Sequence, residues 1–316
     1  MTEGYAALRE RAALLDLSGR GKIRVTGADR VRLLHAMTTN HVEQLQPGQG
    51  CYVFFLNAQG RILADADLFC FPDHFLLDTE PETLELVFAH LDRYIIADDV
   101  TLEDRTGETA TLGLEGPAAR AVLDSLGGPA PEGPNETAAW GDSIVASVNS
   151  TGAGGFRVFL PVAAKTELIA KLSRAGVAGA TPADARTVRI ENGLPRYGED
   201  ITTEYIPQET QVLRAIHFSK GCYLGQEIVE RVRSRGHVNK LLVQLRGAGQ
   251  RPPAAQAAIF AEGKPAGVVT SAAFSPGRNE VVALGYVREA YAREGQPLEA
   301  DGVELTVRVV KPAQAG

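Results

Sequence analysis

Ile23-Arg24-Val25-Thr26-Gly27-Ala28-Asp29 reads as a strand running into a glycine turn, and Val31, Leu33 and Leu34 then supply the apolar positions of a helix. The same plan returns at Thr111-Leu112-Gly113-Leu114-Glu115-Gly116-Pro117, followed by Val122, Leu123 and Leu126. Gly27 and Gly116 share the turn position. Pro117 suits a first helical turn, where its missing N–H would be unpaired anyway. The match is too short for a solenoid, so it is a repeated strand–turn–helix unit, and both copies are expected in one pseudo-symmetric sheet.

The rhythm between the copies differs. Cys51 to Leu56 is apolar and β-prone, Asn57-Ala58-Gln59-Gly60 is a turn, and Arg61 to Phe71 is a second, imperfectly alternating strand. His74 to Asp78 follows as a strand. A helix from about Pro81 then carries Leu84, Val87, Phe88 and Leu91 at helical spacing, and Val100 to Glu103 closes the unit. Such a unit makes an antiparallel sheet with helices on one face. Beyond the Pro/Gly-rich loop 127–137, strands are expected near Ile144–Val148 and Phe156–Leu160. Helices follow over Lys165–Arg174 and Pro182–Glu191, the second capped by Thr181. From Val238 onward short strands at Leu241–Leu245, Ala266–Thr270, Val281–Val287 and Val303–Val310 read as a small barrel or sandwich. The class is therefore α+β with three domains. Residues 1–50 plus 108–237 form a discontinuous first domain, 51–107 a second antiparallel-sheet domain, and 238–316 a C-terminal β-barrel.

Composition narrows the function. At 316 residues, 44% hydrophobic and 22% charged, the chain is long enough for a sizeable core and is not disordered as a whole. No apolar run approaches the ~20 residues of a membrane helix, and no secretory signal precedes Tyr5. The three cysteines, Cys51, Cys70 and Cys222, form no CxxC pair, which argues against a disulfide scaffold and for a cytoplasmic location. Net charge is −7, yet Arg214 to Lys240 holds six basic against two acidic residues, with His217 and His237 as further donors. That segment is a solvated helix face or faces an anion. His35, His41, His74 and His90 stand singly in unlike contexts, and no metal site is expected. Gly152-Ala153-Gly154-Gly155 lacks the Lys-Ser/Thr of a phosphate loop and reads as strand entry.

The chemistry concentrates at Phe218-Ser219-Lys220-Gly221-Cys222-Tyr223-Leu224-Gly225-Gln226-Glu227. Leu224, Ile228 and Val232 fall at i, i+4, i+8, so a helix starts within this stretch. Cys222 then lies near its N-terminus beside the Lys220 ammonium, and both features favour thiolate. The competing reading is a cysteine buried as a small hydrophobe.

Lys220 to Glu227 resembles the KGCYxGQE signature of the YgfZ family, the folate-binding branch of the aminomethyltransferase (glycine cleavage T-protein) superfamily. Arg186 to Gly193 resembles that superfamily's ARxxRxExG segment, with Glu191 on its folate-contacting glutamate. Asn57 to Asp65 resembles the turn and strand where the transferases carry a catalytic aspartate, and the C-terminal strands resemble the family's barrel. The resemblance implies a cluster of two mixed α/β (ferredoxin-like) domains and a small β-barrel. It also implies a monomeric scaffold that binds tetrahydrofolate and supports iron–sulfur cluster assembly or repair in client enzymes, tRNA-modifying enzymes among them. On this reading Cys222, Lys220 and Asp65 are the candidate catalytic residues. Glu191, Arg189, Arg214, Gly221, Tyr223, Gln226, Glu227 and Arg231 are the candidate folate-binding residues, with Glu191 on the pterin and Arg214, Lys220 and Arg231 near the glutamyl tail. Cys222 attacks an electrophile, ligates iron transiently or exchanges with a thiol, and sequence leaves all three open.

Two alternatives remain. A folate-dependent aminomethyltransferase would use Asp65, but the first of the transferases' paired aspartates is Ala64 here. An RNA-binding factor without catalysis, contacting tRNA through 231–240, would rely on a segment with no aromatic residue for base stacking.

Overall fold

The computed structural model describes residues 1–236 and 238–308, the side chain of Arg235 excepted. Gly27 and Gly116 both adopt positive φ, 102° and 122°. A Cβ at Gly27 would lie 2.0 Å from the Asp99 carbonyl oxygen, and one at Gly116 would lie 2.7 Å from that of Arg11. Only glycine turns the chain there without displacing backbone.

Each turn opens one copy of a longer repeat. The first copy runs strand Gly21–Thr26, helix Arg30–Met37, strands Gly50–Leu56, Ile62–Cys70 and Phe75–Thr79, helix Leu84–Asp92 and strand Thr101–Asp104. The second runs strand Thr109–Glu115, helix Ala119–Ser125, strands Thr137–Trp140, Ser143–Ala146 and Gly155–Pro161, helix Lys165–Arg174 and strand Ala178–Gly179. Within each sheet the second, third, fourth, first and fifth strands of the copy lie in that spatial order. The second sheet admits Ala13–Asp16 between its first and fifth strands. The two copies therefore do not share a sheet. Gly21–Thr26 pairs with Phe75–Thr79 and Thr101–Asp104, so it stands with the strands of 51–107 and not with residues 1–16. The expectation of one shared sheet misjudged partner choice, because a strand pattern does not name its neighbour.

Each sheet covers one face with its two helices. Leu33, Leu34, Met37, Val87 and Leu91 seal the first sheet, and Ala119, Leu123, Leu168 and Leu172 seal the second. The helix-free faces meet each other. Phe69 and Phe159 pack edge-to-face at 5.6 Å, within an apolar cluster that also holds Leu76, Ala146 and Val148. Beside it lies a buried charge network. Arg157 of the second sheet donates to Asp67 at 2.9 Å and to Asp78, both on the first sheet. Arg20 donates to Asp78 at 2.8 Å and also reaches Glu80, while Asn135 donates to Asp67 at 2.8 Å. Burial acts to raise the Asp78 carboxyl, but Arg157 and Arg20 together hold it below the ordinary carboxylate range.

Helix Pro182–Glu191 begins with the expected Thr181 cap, completed by Asp184 as a capping box. It packs on the N-terminal helix Glu3–Glu10. On its other side sits a closed six-stranded barrel, whose strands lie between Lys240 and Arg308. Gln244 donates to the Ile190 and Glu191 carbonyls at 3.0 and 2.7 Å, and Tyr205 stacks on Tyr286 at 3.6 Å. His237 and the end of the expected strand at Val310 lie outside the described residues. Among the described residues no helix is long and apolar enough to cross a membrane.

Replacing Arg157 by Ala leaves the Asp67 and Asp78 carboxylates facing each other in the sheet–sheet interface. Removing one partner of a buried ion pair costs about 3–5 kcal/mol. Urea unfolding of Arg157→Ala should show that loss, with Arg120→Ala on the exposed face near neutral.

Candidate functional site

Lys220 fixes the octapeptide loop. Its ammonium donates to three carbonyl oxygens, those of His35 at 2.5 Å, Thr38 at 2.6 Å and Asn40 at 2.8 Å. Those carbonyls belong to the end of helix Arg30–Met37 and the turn beyond it, where orphan acceptors gather. Burial lowers the Lys220 pKa to about 8, and its Nζ sits 4.8 Å from the centroid of the Tyr223 ring. Sequence placed this ammonium beside Cys222. Its donors are instead committed to backbone across the loop.

Helix Gln226–Arg235 starts at Gln226, with Gly225 as its N-cap at φ 83°. A Cβ at Gly225 would meet the Asn57 carbonyl oxygen at 2.6 Å, which ties the loop to the hairpin turn. Cys222 therefore lies three residues before the cap and outside the helix. It is the one exposed cysteine; Cys51 is half-buried and Cys70 buried. Desolvation pushes Cys51 up to about 12 and also raises Cys70. Gln226 turns its side-chain oxygen back to accept from the Tyr223 N–H at 3.1 Å. The Tyr223 hydroxyl is buried without a hydrogen-bond partner. Glu227 and Arg231 are exposed on the helix. Gly221 is exposed, and a Cβ there would lie 3.8 Å from His35 Nε2.

Asp65 sits on strand Ile62–Cys70, buried, and accepts from the Tyr52 hydroxyl at 2.5 Å. Burial raises its pKa to about 7, with the Glu80 charge adding and the Tyr52 hydrogen bond and Arg20 opposing. Arg214 lies over the Tyr52 ring at 4.4 Å. Phe54 pairs directly with Asp65, so Tyr52 is its diagonal cross-strand neighbour. Pairing the two strands about the Asn57–Gly60 turn would have found it in the sequence. Ala64 falls in the helix-covered core, on the opposite face of the strand from Asp65.

Glu191 closes its helix elsewhere. Its carboxylate accepts from the Tyr5 hydroxyl at 2.5 Å and pairs with Arg9 Nε at 3.3 Å. It borders a cavity of ≈ 280 Å³ with Arg9, Asn192 and Arg278 on the wall, and Arg278 Nε is buried without a partner. Cys222, Asp65 and Arg214 do not line this cavity. Arg189 has its donors committed to Asp200 at 2.5 Å, Glu199 at 2.6 Å and the Leu194 carbonyl at 2.6 Å. Asp200 in turn accepts from Thr270 and Ser271 of the barrel, at 2.6 and 2.7 Å. Arg189 thus docks the barrel. Tyr5 and Arg9 stand four apart on the first helix, 180 residues and more from Glu191, and no local pattern announced them.

Of the basic segment, Arg233 folds back over the Phe218 ring at 4.9 Å and donates to the Phe218 carbonyl at 2.8 Å. Gly152 to Gly155 is strand entry: the backbone N–H groups of Ser150 and Thr151 just before it donate to Glu115, at 2.8 and 2.9 Å.

A stacked pair of α/β sheets followed by a closed C-terminal barrel defines a class. Residues 1–220 match the GCVT N-terminal domain, and residues 240–313 match the glycine cleavage T-protein C-terminal barrel domain. The chain belongs to this glycine cleavage T-protein family. It is 33% identical over 297 residues to an aminomethyltransferase of Rubrobacter xylanophilus, covering 90% of this chain and 78% of that one. It is 29% identical to an aminomethyltransferase of Streptomyces coelicolor, covering 97% and 85%. The solved glycine cleavage system aminomethyltransferase T of Bartonella henselae superposes with a TM-score of 0.90 at 26% identity, over 99% of this chain and 89% of that chain.

A carboxyl raised to about 7 in the native protein and near 3.9 when unfolded binds a proton on folding. Its contribution to stability is complete below about pH 4 and is lost as pH rises through about 7. Urea unfolding from pH 4.5 to 8 should show that decline in the wild type and a flatter curve in Asp65→Asn. Infrared spectra should show the protonated carboxyl band at pH 5 fading by pH 8.5.

Proposed function

We propose that this chain is a tetrahydrofolate-binding accessory protein of the YgfZ type, supporting iron–sulfur cluster assembly or repair in client enzymes through Cys222. The observation that carries the reading is that Cys222 is the one exposed thiol, held in a loop pinned at Lys220 and Gly225. A structural cysteine would be buried. An accessible thiol on an anchored loop is suited to meet a second protein.

The donor set around Glu191 fits the folate. A pterin needs a carboxylate acceptor for its amino and ring N–H groups, and an anionic tail needs cations. Glu191 supplies the first, with Arg9 and Arg278 beside it at the ring end; the expected Arg214, Lys220 and Arg231 lie outside this cavity. The orphaned Arg278 Nε is a donor with no protein partner. The ≈ 280 Å³ volume lies near the lower bound of small-molecule sites, about 300 Å³, and suits the ring system better than the whole molecule. Bound tetrahydrofolate supplies a one-carbon carrier. The chain's own part is to hold the ring at Glu191 and present Cys222.

A second reading, folate-dependent aminomethyl transfer, has its own support. The relatives' names favour it over the accessory role, and Asp65 has a carboxyl tuned to about 7, near the optimum for general acid–base work. Against it stand the octapeptide cysteine and Ala64.

One set of variants separates the two. Calorimetry with tetrahydrofolate should show Glu191→Gln weakened by roughly tenfold or more, the worth of a charged hydrogen bond. In a strain lacking the protein, Cys222→Ser should fail to restore iron–sulfur enzyme activity, while Asp65→Asn restores it. The reverse pattern, with aminomethyl transfer measured in the purified protein and lost in Asp65→Asn, establishes the transferase instead.

A further inference from the structure

Histidines that are scattered along the chain come together beside the octapeptide loop. The rings of His35 and His41 meet edge-to-face at 4.8 Å, and those of His41 and His217 at 5.0 Å. Glu43, in the one-turn helix Val42–Gln44, brings its carboxylate to 3.8 Å from His35 Nε2. One ligand atom from each of His35, His41 and Glu43 lies within 4.8 Å of the other two. This overturns the sequence reading for His35 and His41, while His74 and His90 stay apart from them.

The state of these groups points to a cation. His35 is 7% exposed, and its Nε2 faces the Glu43 carboxylate. His41 Nδ1 is buried with no hydrogen-bond partner, a condition that buried side-chain atoms seldom show. Among the described residues His35 is the sole ion-pair partner of Glu43. His217 packs edge-to-face against the His41 ring.

We propose that His35, His41 and Glu43 form a binding site for a divalent first-row transition ion, Zn²⁺ or Fe²⁺. Two imidazoles and one carboxylate suit these ions and leave coordination positions open. Ligand bonds of about 2.1 Å set an upper separation of roughly 4.2 Å between donors, so the triad must close slightly. Glu43 can do this, because its side chain is 54% exposed on a single turn. The Lys220 ammonium opposes the ion's charge. Its three carbonyl partners offset that effect. A Cβ at Gly221 would lie 3.8 Å from His35 Nε2, so the site adjoins the Cys222 loop.

The test uses metal-stripped protein in a Cys222→Ser background, which removes the exposed thiol as a rival ligand. Zn²⁺ is titrated against a chromophoric chelator, and Co²⁺ binding is followed by its visible absorption. The parent should bind one equivalent of each ion. Adding Glu43→Gln or His41→Asn should weaken Zn²⁺ binding at least about tenfold and abolish the Co²⁺ bands. Zn²⁺ should raise the thermal midpoint of the parent only. Equal metal-free midpoints establish that the variants fold; if His41→Asn does not, the exposed Glu43 decides alone. Absence of stoichiometric binding by the parent, or undiminished binding by Glu43→Gln, overturns the proposal.

Discussion

Among the described residues, Arg157 is the cation that reaches across the two sheets to a pair of carboxylates. Asp67 and Asp78 face each other on neighbouring strands, in direct register, and two buried like charges cannot coexist without compensation. Arg157 and Arg20 supply it together. The sheets can therefore stack through their helix-free faces only in the register that seats Arg157 between those carboxylates. Apolar contacts such as Phe69 on Phe159 contribute area but little direction. The charge network contributes the direction.

That register places Asp65. It lies two residues from Asp67 on the same face of the strand, at the rim of the network, and so is desolvated without a cation of its own. Tyr52 donates the hydrogen bond that Asp67 receives from Arg157. Neighbouring aspartates of one strand thus differ in role: Asp67 is bound to Arg157 and Asn135 across the sheet interface, whereas burial raises the Asp65 carboxyl to about 7. The octapeptide loop obeys the same economy. Lys220 completes the end of helix Arg30–Met37, while Cys222, two residues on, is exposed.

Local features were readable from sequence because their causes are local. Thr181 and Asp184 bracket a helix start, and Leu168 and Leu172 mark one face of the helix Lys165–Arg174, which falls where it was expected. The octapeptide identified the exposed cysteine, and glycine turns 27 and 116 marked the starts of both copies. Partner choice was not readable. Nothing in Gly21–Thr26 says that it pairs with Phe75–Thr79, and Lys220 shows no sign that it will cap a helix 180 residues earlier. The grip of Tyr5 and Arg9 on Glu191 and the gathering of His35, His41 and His217 are consequences of long-range packing. They have no spacing to detect.

The strand Ala13–Asp16 sits between Thr109–Glu115 and Ala178–Gly179, and this arrangement has a consequence for how the chain assembles on the ribosome. The first sheet, from Gly21 to Asp104, contains every partner it needs and can close once it has emerged. The strand that precedes it must wait for more than 160 further residues before its last neighbour exists. At ribosomal rates of about 5–20 residues per second that is a delay of roughly 8–30 s. During it the strand has at most Thr109–Glu115 to pair with. The first residues made are among the last to be fixed, and Tyr5 and Arg9, which hold Glu191, are fixed with them.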